Sequence, residues 1–137
     1  MYQIASRQQR KKLHEQYGSQ GGVYILHCLD VDDEKTPILI QRVLGVDKEG
    51  VLYIGKTAPG LGRIGYLVKS ISPDYKSLGH HVGLRFSKNK KLAMAFPFEQ
   101  LHVSFRQADD PAVLESELIQ EYFQKYGEVP PLNANEP

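Results

Sequence analysis

Five side chains in this sequence have types and positions that suit work on a phosphate ester: Tyr24, Tyr53, Lys56, Arg63 and Glu115. Arg63 follows a glycine-rich loop, Ala58-Pro59-Gly60-Leu61-Gly62, and falls in the first turn of a predicted helix. A cation there opposes the helix dipole. Arginine grips phosphate with a planar fork that lysine lacks, so an anionic partner accounts for it. A surface pair with a nearby carboxylate accounts for it equally well. Glu115 precedes Leu118, Ile119 and Tyr122 at helical spacing, so it projects along an apolar stripe. An ionised carboxylate there is costly unless paired or bound to metal. Periodicity alone fits better with a glutamate at the stripe's edge that reaches water. Tyr24 and Tyr53 each end an apolar run beside a glycine motif, and their hydroxyls need partners if buried. Simple strand packing would also place aromatics there. Lys56 directly follows the Tyr53 strand, where it could meet a phosphate or simply point to solvent.

The elements that must position these groups can be read from period and punctuation. Residues 4–17 suit a polar helix with Ser6 as N-cap, ended by Gly21-Gly22. Val23-Tyr24-Ile25-Leu26 reads as a buried strand, residues 38–46 as a second, and Val51-Leu52-Tyr53-Ile54 as a third after the turn Asp47-Lys48-Glu49-Gly50. Residues 22–55 therefore look like an antiparallel meander, with an acidic turn at 30–34. Ile64, Leu67, Val68 and Ile71 make one face of a helix. Residues 72–100 give no clear pattern, and Leu101-His102-Val103-Ser104-Phe105 alternates like a half-buried strand. Asp110-Pro111 opens a last helix that runs to about Tyr126 and stops at Gly127. The expected fold is one α/β domain, a small mainly antiparallel sheet flanked by helices. Residues 1–20 would be an N-terminal helical extension and 22–133 the core.

Composition sets bounds. The chain has 137 residues, 41% of them hydrophobic and 24% charged, an ordinary globular balance. It has no apolar run of membrane-span length and no signal-type N-terminus, so a cytoplasmic location is expected. Cys28, the single cysteine, suits a buried inert thiol, and no Cys/His cluster has zinc-ligand spacing. Net charge is only +1, but residues 51–106 carry nine basic and two acidic side chains, while residues 107–137 carry one and seven. That asymmetry fits a polyanion-binding face, with Lys88, Lys90 and Lys91 as expected phosphate contacts. The basic N-terminal residues Arg7, Arg10, Lys11 and Lys12 are the next candidates.

The residues also resemble a family. Gly22-Val23-Tyr24 and Tyr53-Ile54-Gly55-Lys56-Thr57 resemble the two motifs that name the GIY-YIG nucleases. Arg63 lies eight residues past Gly55, where that family commonly has its arginine. Leu114-Glu115-Ser116-Glu117-Leu118-Ile119 resembles the family's glutamate helix, and Pro131-Leu132-Asn133 its closing motif. The resemblance spans residues 22–133 and implies a metal-dependent endonuclease that hydrolyses phosphodiester bonds, DNA rather than RNA, with one Mg²⁺ or Mn²⁺ ion. It implies that Glu115 holds the metal and that Arg63 binds the scissile phosphate. Tyr24 would activate water as a phenolate or by relaying its proton, and Tyr53 would orient groups beside it. Gly55 and Asn133 would support the site structurally. The family includes homing, restriction, repair and structure-specific nucleases. A homodimer or a partner protein could supply specificity.

Two departures stand out. Tyr24 and Tyr53 lie 29 positions apart, which implies a strand inserted between the motif strands. Leu67 holds one position where many members carry a histidine, and His80 and His81 read as an ordinary loop pair. The alternative to a nuclease is a non-catalytic nucleic-acid binding module or an interaction domain on the same scaffold.

Overall fold

The computed structural model describes residues 1–30, 32–33, 35–73 and 80–133, so the acidic turn expected at 30–34 lies partly outside the described residues. The chain runs through β1 (Tyr2–Gln3), α1 (Arg7–Tyr17), β2 (Gly22–Cys28), β3 (Ile40–Arg42), β4 (Gly45–Asp47) and β5 (Val51–Thr57). It continues through α2 (Gly62–Ile71), α3 (His81–Lys88), α4 (Lys90–Ala95), a short 3₁₀ turn, β6 (Leu101–Gln107) and α5 (Pro111–Tyr126). Local chemistry sets the clearest ends. The Ser6 hydroxyl accepts from the Gln9 N–H at 3.2 Å and starts α1. Asp110 accepts from the Val113 N–H at 3.3 Å, Pro111 needs no partner in the first turn, and Gly127 ends α5 at φ 73°.

Four strands form one antiparallel sheet in the order β1-β6-β2-β5. The central strand β2 is covered on both faces. Tyr24, Leu26 and Cys28 point into a core shared with Leu13 of α1, Ile64 and Leu67 of α2 and Val82 of α3. Val23 points into the other core, with Val51, Ile54 and the α5 residues Leu118, Tyr122 and Tyr126. Helices on both faces of a small antiparallel sheet are the α/β arrangement expected from the sequence. Cys28 is buried, and burial pushes its thiol up to about 11, as an inert core thiol requires.

The insert differs from expectation. β2 pairs directly with β5, while β3 and β4 form a separate two-stranded hairpin. The apolar run at residues 38–46 does not make one strand, because it turns at Val43 and Leu44, which are 70% and 65% exposed. An apolar run signals a strand only where a second layer covers it. The hairpin is held down at its turn instead. The Val43 N–H donates to Glu128 at 2.8 Å, and Arg42 pairs with the same carboxylate at 3.3 Å.

Asp47 fastens this hairpin to the core. It is fully buried and accepts from the Glu49 N–H at 2.8 Å, the Val51 N–H at 3.1 Å and the Tyr122 hydroxyl at 2.8 Å. One carboxylate thus shapes the turn into β5 and ties that turn to α5. Asp47→Ala should therefore lower unfolding stability by about 2–3 kcal/mol, as expected for hydrogen bonds to a buried charge. Tyr122→Phe should cost only about 1 kcal/mol, because it removes one of three donors. Denaturant midpoints of the two variants check this, and equal losses would contradict it.

Candidate functional site

β5 supplies the floor of the site. In the register, Tyr24 faces Gly55 and Leu26 faces Tyr53, so both tyrosine rings rise on one face of the sheet around Gly55. A Cβ at Gly55 would lie 2.6 Å from the Tyr53 ring and 2.7 Å from the Tyr24 hydroxyl. Glycine is required there by close approach rather than by backbone angle. The two rings stand 6.0 Å apart, and their hydroxyls act on one another.

His80 completes the cluster. It precedes α3, is buried, and places Nε2 2.9 Å from the Tyr24 hydroxyl. Its other nitrogen, Nδ1, accepts from the Val82 N–H at 3.2 Å and caps α3. That cap fixes the neutral ring with its proton on Nε2, so His80 donates to Tyr24. Tyr24 in turn packs against the Tyr53 ring. Burial, then the charges of His81 and Arg63, lower the His80 pKa to about 4, so the ring is neutral at physiological pH. His81 stacks on His80 with ring centres 5.1 Å apart, and Tyr53 packs edge-on against both. The ordinary loop pair expected from sequence is therefore corrected. His80 is a core residue of the cluster, and its ring closes the helix that the sequence left unread.

Arg63 approaches from α2. Its backbone N–H donates to Thr57 Oγ1 at 3.3 Å, which ties the first turn of α2 to the end of β5. Its guanidinium lies over the Tyr66 ring, 5.7 Å from the centroid. Its charge acts on Tyr24, Tyr53, His80 and His81. Burial raises both phenols above the usual range, and Arg63 opposes that rise.

Glu115 and Asn133 reach the same strand from its outer edge. Asn133 accepts from the Ile54 N–H and donates to the Ile54 carbonyl, both at 2.9 Å, as a neighbouring strand would. The Leu132 N–H donates to the Leu52 carbonyl at 2.8 Å. Two residues further along, the Lys56 charge and backbone N–H act on the Glu115 carboxylate. Glu115 is half-buried. Burial raises its pKa, and the Lys56 charge and N–H pull it down. Its charge is felt by both tyrosines.

The structure thus brings together Tyr24, Tyr53, Gly55, Lys56, Arg63, Glu115 and Asn133. Lys88, Lys90 and Lys91 are exposed and stand apart from it. Lys88 ends α3, about 12 Å of helix from His80 at the other end. Among the described residues no group of three His, Cys, Asp or Glu side chains could hold a metal by itself, and no helix is long and apolar enough to cross a membrane. The donor set is one carboxylate, which suits a hard cation that takes its remaining ligands from water and substrate phosphate. Comparison with family models, curated proteins and solved structures gave no match.

The lowered pKa of His80 has a measurable sign. Between about 6.5 and 4 the unfolded chain takes up a proton that folded His80 refuses. Stability should therefore fall as pH drops through that window and be unaffected by this group above it. His80→Asn, which can still cap α3, should flatten that part of the pH profile. A ¹⁵N-detected spectrum should show a neutral Nε2–H ring at pH 6, and a charged ring there would contradict the assignment.

Proposed function

We propose that this chain is a GIY-YIG-type endonuclease that hydrolyses phosphodiester bonds in DNA with one Mg²⁺ or Mn²⁺ ion. The observation that carries this reading is the convergence on β5. Two packed tyrosines, an arginine whose charge acts on both and a half-buried carboxylate meet around one strand end, although they lie as much as 91 positions apart in sequence. A packing role explains the tyrosines but not a desolvated carboxylate beside them.

Roles follow from the contacts. Arg63 binds the scissile phosphate and offsets the charge that develops on it. Tyr24 takes the proton of the attacking water. Its phenolate is disfavoured by burial and by Tyr53 but favoured by Arg63. The Nε2–H of His80 donates to the phenolate oxygen, and Tyr53 packs beside the ring and orients it. Glu115 would hold the metal, which when bound polarises the phosphoryl oxygens and stabilises the leaving oxygen. Lys56 opposes the upward shift that burial gives the Glu115 carboxyl. Asn133 braces the strand that carries Tyr53 and Gly55. A lone carboxylate binds such an ion weakly without substrate, so the ion arrives with the nucleic acid.

Cleavage assays on plasmid, single-stranded, branched and RNA substrates with Mg²⁺ or Mn²⁺ test the reading. Glu115→Gln should abolish cleavage while keeping the fold and much of the binding, and full activity with Mg²⁺ would remove the metal role from Glu115.

Tyr24→Phe keeps the ring but loses the hydroxyl, and it should slow cleavage by about 10²–10⁴-fold at unchanged binding. Because burial raises the Tyr24 pKa, the wild-type rate should go on rising with pH above 7. A plateau near pH 6–7 would instead indicate a histidine base.

A further inference from the structure

A groove of about 710 Å³ lies between α1 and the outer side of α2, next to the site but not part of it. Arg10, His14 and Lys69 line it, and none of its lining residues is acidic. Its floor is apolar, with Leu13, Leu61 and Ile64. Gly60, Gly62 and Gly65 form one wall, and at each of them a Cβ would meet open space. These glycines therefore leave room that the fold itself does not use.

The groove is joined to the site through one pair of residues. Tyr66 lines the groove and is 49% exposed, and the Arg63 guanidinium stands over its ring. The charge of the same guanidinium also acts on Tyr24, Tyr53 and His80. A phosphate held by Arg63 would therefore have its neighbours along the strand at the mouth of the groove.

We infer that this groove holds unpaired nucleotides of the DNA strand beside the scissile phosphate, with a base against Tyr66 and the apolar floor and phosphates on Arg10 and Lys69. The lining has the two parts that single-strand binding needs, a cationic track and an aromatic platform. Intact duplex does not fit this role, because a paired base shows its face only after it is unstacked. The substrate class is DNA with an unpaired stretch at the cut, such as a flap, a branch or a free single strand. The inference rests on the nuclease reading for the place of the scissile phosphate.

Binding without metal separates the two. Fluorescence anisotropy in EDTA compares a labelled blunt duplex, the same duplex with an unpaired arm, and the arm alone as DNA and as RNA. The arm should tighten wild-type binding about tenfold. Tyr66→Ala and Gly65→Leu should each remove most of that gain. A Cβ at position 65 meets no neighbour and leucine is the better helix former, so Gly65→Leu should melt at the wild-type temperature or above, and that melting temperature, measured alongside, separates a filled groove from misfolding. No gain from the arm, or a gain that survives both substitutions, overturns the inference. Tighter binding of the RNA arm than of the DNA arm overturns the assignment to DNA. Cleavage of the same duplexes with Mg²⁺ reads the nuclease assignment independently. Arm-dependent binding without any cleavage would overturn that assignment and support the groove. Cleavage at equal rates with and without the arm would overturn the groove alone.

Discussion

β5 is the outermost strand of its sheet, and the polar groups along its outer edge must be satisfied by something other than a strand. The chain meets this demand with three different groups in sequence along the edge. Leu132 offers a backbone N–H, Asn133 offers an amide that imitates a backbone, and Glu115 offers a carboxylate. A fourth long strand would satisfy the same edge more simply, but it would exclude Glu115. Leaving the edge to side chains is what places a carboxylate beside two tyrosines that belong to the sheet's face.

The same strand governs the other side of the site. Tyr24 and Tyr53 can lie together only because Gly55 between them has no side chain. Their burial has an electrostatic consequence, since it makes the phenolate that would activate water harder to form. The surroundings answer with donors and cations rather than with a base. His80 presents Nε2–H because Val82 occupies its other nitrogen, and Arg63 is turned inward from a helix start where its charge is otherwise unfavourable. Two features that look costly in isolation, a histidine N-cap and an arginine in a first turn, make sense when each supports a buried phenol.

Much of this arrangement was legible in the sequence where a periodic pattern coincided with a real layer. The stripe of α5, the face of α2 and the runs of β2 and β5 are buried as their spacing implies, and Glu115 does lie where that stripe meets the sheet edge. Legibility failed where structure depends on distant partners. β1 is two residues long and exists only through its pairing with β6. α3 begins on a histidine ring, which no capping rule anticipates, so residues 72–100 gave no pattern and His80 was passed over. The only available signal was a pair of histidines in a basic stretch without a carboxylate nearby in sequence, and a loop explains that equally well.

The charge distribution ties these parts together. The basic stretch from residue 51 to 106 holds Lys56, Arg63 and Lys69, while the acidic tail segment supplies Glu115. Because α5 packs on the opposite face of the sheet from α2, the two charge types are separated by the sheet except at the end of β5. There the charges of Lys56 and Arg63 act on Glu115 and on the tyrosines respectively. A phosphate approaching along α2 would pass Lys69 and Arg63 before it reaches that end. There the single carboxylate would repel it, unless a divalent cation is bound between the two. Under the proposed nuclease reading one anionic side chain, held half-dry at a strand edge, would be enough, because a divalent cation would bind strongly only when a phosphate supplied its remaining oxygen ligands.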